Sequence, residues 1–312
     1  MKQNTRRRFL IVILTLSALI VSTIIGFRKY LNADYRDVFI KNKGQIVRTE
    51  LRFRAEDSTF NNYDLTIIDS NNLTIQCMVR VPKDSTQKYP ALLVMNGFDT
   101  GRHVIELFNS IEKAVLISFD WPYEGKRKFR GADIGPFLPK IRSAIIRAVS
   151  VVLEVIDYLQ TRADVDQEKI FVVGASFGAP FAVDAAAVDE RIKAVILLYG
   201  GGDISLLIQS SSTKQVKTAW GRKLLGEFVA ALLAPVEPMK YVEYISPRPL
   251  LMINGKSDQS IFGKSAELLF EKAEDPKDMV WLETRHVKPK MSDLTATLEQ
   301  MMKKWLIEKG LL

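Results

Sequence analysis

The chain is predicted to fold as an α/β domain with a mostly parallel central sheet and helices on both faces. Three observations carry this expectation. Three β-type segments lie at about 46–55, 62–68 and 73–81, and the alternation of the last reads as a half-buried strand. Short, nearly continuous apolar runs then recur, as strands buried on both faces require. Segments with helical apolar spacing separate most of those runs.

Taken in order, the first 27 residues stand apart from that domain. Residues 1–8 are basic, with Lys2, Arg6, Arg7 and Arg8. Residues 9–27 carry no charge, and Thr15, Ser17, Ser22 and Thr23 are their clearly polar side chains. A helix of that length reaches roughly 28 Å, close to the apolar thickness of a bilayer. A transmembrane signal anchor is therefore expected over 9–27, with a cleaved signal peptide as the alternative. No small-x-small cleavage site is evident. The flanking charges favour a cytoplasmic N-terminus and a body outside the cytoplasm, periplasmic or extracellular. Residues 28–45 read as a juxtamembrane linker and 46–312 as the α/β domain.

Within the domain, Leu73, Ile75, Cys77, Val79 and Val81 alternate along the third strand. The buried-strand runs are 91–95, 114–118, 170–173, 194–198, 250–253 and 279–282. The clearest helix is 139–162, where Ile141, Ile145, Ala148, Val152, Val155 and Leu159 share a face. Another is 291–308, with Leu294, Leu298, Met302 and Trp305. Residues 199–245 exceed a simple crossover. Their apolar stripe (Leu224, Leu225, Phe228, Leu232) fits a small cap over a pocket or a helix packed on the sheet.

The chemistry lies at the turns. After the run 170–173 the chain reads Gly174-Ala175-Ser176-Phe177-Gly178, and Pro180 follows at a position suited to a first helical turn. G-x-S-x-G between a strand and a helix turns the backbone sharply and exposes the serine hydroxyl. The glycines two residues away permit the close approach. A serine hydroxyl needs a base, and only two histidines exist. His286 follows the run 279–282, and His103 follows 91–95. A carboxylate must orient the base, and Asp258 follows 250–253. Ser176, Asp258 and His286 thus each succeed a strand at one edge of a parallel sheet, where sites form. Asp203 competes as the acid and His103 as the base. Asp120 reads as a residue ordering its own loop.

The passage Tyr158–Gly178 resembles the helix-to-elbow passage of the α/β-hydrolase superfamily, in particular dienelactone-hydrolase-like and related serine esterase families. Arg248–Asp258 resembles their acid-bearing strand and loop, and the likeness covers nearly all of 60–312. Asn96-Gly97-Phe98 stands where many members have His-Gly-x, so Asn96 replaces the usual histidine. The resemblance implies an α/β-hydrolase fold and hydrolysis of a small-molecule ester through a Ser176–His286–Asp258 triad. It also implies an oxyanion hole from the backbone N–H groups of Phe98 and Phe177. A serine in the elbow, rather than cysteine or aspartate, separates the chain from dienelactone hydrolase itself and from haloalkane dehalogenases. A serine peptidase of the same fold and a non-catalytic tethered binding protein are the other readings.

Charge and composition exclude further classes. The net charge is +8, but six basic residues lie in the first 29 positions, and without them the 44 basic side chains fall to 38 against 36 acidic. The body is nearly neutral, so no groove for nucleic acid is indicated. Two histidines and one cysteine make no convincing metal set. No dinucleotide fingerprint appears, so no cofactor is implied.

Overall fold

The computed structural model describes residues 2–84, 86–126, 131–288 and 291–312, with residues 2–14, 18, 20, 131 and 132 described as backbone alone. Nine strands form one sheet in the order β1-β2-β3-β5-β4-β6-β7-β8-β9. The first three, β1 (Ile46–Glu56), β2 (Phe60–Asp69) and β3 (Thr74–Pro82), form an antiparallel meander, and β3 also pairs antiparallel with β5 (Val115–Phe119). The other pairings are parallel and join β5, β4 (Tyr89–Met95), β6 (Val165–Ala175), β7 (Ile192–Leu198), β8 (Leu250–Gly255) and β9 (Lys277–Leu282). The apolar runs form strands because each side of the sheet is covered. On β4, Ala91, Leu93 and Met95 belong to one buried cluster, and Leu92 and Val94 belong to the other.

The first cluster lies under α3 (Leu138–Thr161) and α4 (Ala179–Ala186). The second lies under α8 (Ser292–Glu308) and a 3₁₀ turn over Gly101–Leu107. Helices α5 (Ile204–Ser211) and α6 (Ala219–Leu233) pack on each other within 199–245, and α6 also touches α3. Helix α7 (Gly263–Lys272) links β8 to β9. Strand β1 is the outer edge of the sheet. Val47, Leu51 and Phe53 are exposed there, among Arg48, Arg52 and Arg54.

The chain begins with α1 (Lys2–Leu31) and α2 (Arg36–Asn42). The transmembrane anchor expected over 9–27 is not supported: among the described residues, no helix is long and apolar enough to cross a membrane. Of the run 9–27, residues 9–14, 18 and 20 are described as backbone alone, and Thr23 turns its hydroxyl onto the Leu19 carbonyl at 2.8 Å. At the far end, the Tyr30 hydroxyl donates to the Ala231 carbonyl at 2.8 Å, holding the helix against the body. The association with a membrane inferred from that run is unsupported with it.

Within 28–45, α2 inserts Phe39 into the first cluster, fully buried and edge-on to Tyr241 at 6.1 Å. The Tyr35 backbone N–H donates to the Tyr241 hydroxyl at 3.0 Å.

Candidate active site

Because β4 to β9 are parallel, their C-terminal ends share one edge of the sheet. Reading across it, Trp121 follows β5, Asn96–Phe98 follow β4, Ser176 follows β6, Tyr199 follows β7, Asp258 follows β8 and His286 follows β9. Residues far apart in the chain are therefore neighbours in space.

Ser176 opens a 3₁₀ turn over Ser176–Gly178 that leads into α4. Its φ is 51°, in the left-handed region that a side-chain-bearing residue enters at a cost. The two glycines of the motif are there for space. A Cβ on Gly178 would lie 2.5 Å from the Met95 carbonyl oxygen of β4. One on Gly174 would lie 2.7 Å from the Gly178 carbonyl oxygen. Backbone cannot yield as a flexible side chain can, so glycine at both positions lets the turn close against β4.

The structure brings three of the predicted residues into one chain of contacts. Ser176 Oγ is 2.9 Å from His286 Nε2, and His286 Nδ1 is 2.7 Å from Asp258 Oδ2. The Asp258 carboxylate is fully buried, and its Oδ1 accepts from the backbone N–H groups of Ser260 at 2.7 Å and Ile261 at 3.0 Å. A buried carboxylate held on both oxygens keeps one orientation and so fixes the imidazole. The rings of Phe98 and Phe177, the expected oxyanion donors, meet edge to face at 6.2 Å, and Phe177 directly follows Ser176.

The competing candidates lie elsewhere. Asp203 caps α5, its Oδ1 accepting from the Leu206 N–H at 3.0 Å. His103 lies on the exposed 3₁₀ turn, 3.4 Å from Glu106 Oε1. Asp120 Oδ1 accepts from the Arg102 N–H at 3.0 Å, so it ties its loop to the Gly101–Leu107 turn instead of ordering its own residues.

Two features escaped sequence reasoning. Tyr199, also in the left-handed region at φ 54°, sets its ring edge-on to His286 at 5.6 Å and places its hydroxyl 2.7 Å from Thr284 Oγ1. Burial pushes its phenol above the usual range, and the Asp258 charge adds to that shift. Its signal was its place directly after β7. The second is a cavity of about 230 Å³ lined by Phe98, Trp121, Tyr123, Phe177 and Phe181 and by Leu233 of α6, with Phe177 next to Ser176 in the chain. Trp121 touches Phe177 at 5.0 Å and Phe181 at 4.8 Å. Among the described residues, no three His, Cys, Asp or Glu side chains gather as a metal set.

Comparison with known proteins agrees with this fold. The dienelactone hydrolase family matches residues 130–282, a little under half of the chain. That stretch contains Ser176 and Asp258 and stops short of His286. YtaP of Bacillus subtilis (strain 168) is 30% identical over 107 residues, which are 34% of this chain and 33% of that protein. The chain thus matches about a third of the length of that curated relative. Acetyl xylan esterase 1 from Thermoanaerobacterium sp. JW/SL YS485 superposes with a TM-score of 0.64 at 15% identity, covering 88% of this chain and 92% of that one. The acetyl xylan esterase from Paenibacillus sp. R4 gives 0.64 at 16% identity, covering 85% and 92%.

Proposed function

We propose that this chain, an α/β-hydrolase similar over residues 130–282 to the dienelactone hydrolase family, hydrolyses carboxylic esters through a serine acyl-enzyme. The observation that carries the reading is the contact chain Ser176 Oγ–His286 Nε2–Asp258 at 2.9 and 2.7 Å, set on a left-handed serine at a strand-to-helix turn.

In this reading the Ser176 hydroxyl donates to Nε2, and the Nδ1 N–H donates to Asp258 Oδ2. Asp258 thereby holds the tautomer whose Nε2 can accept a proton. Ser176 Oγ attacks the ester carbonyl carbon while its proton passes to His286. The backbone N–H groups of Phe98 and Phe177 receive the oxyanion, a contribution of about 3 kcal/mol per donor where such donors have been removed. The tetrahedral adduct then expels the alcohol oxygen, which takes the proton from His286. A water deprotonated by His286 next attacks the acyl-enzyme, releasing the acid and restoring Ser176. Residues 199–245 serve as a small cap, a role supported by Leu233 lining the cavity.

The test is a fluorophosphonate probe on the full chain, with the adduct mapped by mass spectrometry. A single adduct on Ser176, lost in Ser176→Ala and strongly slowed in His286→Ala, is the expected result. Ester turnover that persists in a folded Ser176→Ala variant would overturn the reading.

A further inference from the structure

We propose that the acyl group this site accepts is apolar and ends in an aromatic ring, and that acetyl is a poor substrate group. The inference rests on Ser176 being the nucleophile and His286 the base, as argued above.

The direction in which a substrate lies follows from the proton it must receive. His286 has to protonate the leaving oxygen, so the alcohol part lies on the His286 side of Ser176, toward β7, β8 and β9. The acyl part must extend the other way, toward β4 and β5. On that flank the sheet edge carries Phe98 and Trp121, and the cavity of about 230 Å³ opens between them and α3. Its floor is Ala144 and Ala148 of α3.

Size and chemistry then select the occupant. An apolar cavity of about 150 Å³ takes a benzene ring, so this one holds a ring together with a short linker. An acetyl methyl would leave most of the wall without a partner. Pro122, Lys126, Ile141, Ile145 and Leu233 share the wall with its five rings. The rings already meet at an angle: Phe98 on Phe177 at 88° and Trp121 on Phe177 at 74°, both edge to face, and Trp121 on Phe181 tilted at 51°. A guest ring continues this edge-to-face packing, whereas a linear chain gains only burial.

The experiment compares methyl acetate, methyl hexanoate and methyl 3-phenylpropanoate, so that the leaving group is constant and cannot itself occupy the cavity. Burial alone is worth about fourfold per methylene. On the full chain, kcat/KM is expected to rise at least tenfold from acetate to 3-phenylpropanoate, with hexanoate between them. Ala144→Phe, which places a ring in the cavity from α3, is expected to collapse that preference. Acetate turned over as well as 3-phenylpropanoate, or hexanoate ahead of it, overturns the aryl assignment while leaving the serine hydrolase intact. A preference unchanged in Ala144→Phe overturns the assignment of this cavity as the acyl site. If no Ser176-dependent turnover of any ester is found, the hydrolase reading fails and this inference fails with it.

Discussion

Ser176 holds a left-handed backbone at φ 51°, which costs a residue with a Cβ about 1–2 kcal/mol. The neighbouring glycines permit it, since the turn passes so close to Met95 that no Cβ fits at Gly178. This strain can be measured separately from chemistry. Ser176→Ala removes the hydroxyl and keeps the Cβ, while Ser176→Gly removes both. Both variants are expected to be inactive, but Ser176→Gly should be more stable than Ser176→Ala by about 1 kcal/mol in urea unfolding. A Ser176→Gly variant less stable than Ser176→Ala by about 0.5–1 kcal/mol, glycine's ordinary entropic penalty, would mean that the turn stores no strain. Ser176, Asp258 and His286 were legible in the sequence because each stands directly after an apolar run, where a parallel sheet collects them. What holds Asp258, the N–H groups of Ser260 and Ile261, was not legible, because backbone donors leave no trace in residue identity.

At the scale of the element, α4 carries an unexpected group. Asp184 is fully buried, and among the described residues neither of its carboxyl oxygens has a hydrogen-bond partner. Burial pushes its pKa well above the carboxylate range, the nearby Glu237 adds to this, and Lys240 opposes it. The folded protein therefore keeps the Asp184 proton in a window where the unfolded chain has released it, beginning near pH 4. Stability must fall as pH rises through that window. Asp184→Asn removes this slope. Its advantage over the parent should be near zero at about pH 4 and grow by about 1.4 kcal/mol per pH unit until Asp184 ionises in the folded state. A difference independent of pH would contradict the assignment. Two other elements show where pattern reading stopped. Helix α1 contains the uncharged run over residues 9–27 that predicts a membrane span, yet among the described residues no helix is long and apolar enough to cross one. The aromatic cavity could not be read at all, since Phe98, Trp121, Ala144 and Phe181 come from four separate segments with no local periodicity between them.

For the whole molecule, the question is what belongs to the core. Phe39 lies ahead of the first strand, in a seven-residue helix too short to show a period. It is nonetheless fully buried against Tyr241, and Ser150 of α3 donates its hydroxyl to the Phe39 carbonyl at 2.7 Å. Phe39→Ala should therefore cost about 3–5 kcal/mol of unfolding free energy. A loss below about 1 kcal/mol would show that α2 is an appendage. The site is equally a property of the whole, since its three polar side chains come from β6, β8 and β9 and meet only when those strands are paired.

The outer edge of the sheet bears on how molecules behave toward one another. Strand β1 is eleven residues long and offers an unpaired backbone ladder beside exposed Val47, Leu51 and Phe53. Such an edge invites a second copy to add a strand and begin aggregation. The same edge carries charge of both signs, with Arg52 paired to Glu50 at 2.7 Å and Arg54 to Asp64 at 3.3 Å. A second strand would have to strip water from these groups, which is how charged side chains blunt an exposed edge. The edge is thus guarded by the cost of dehydrating its charges, while its apolar side chains stay in water.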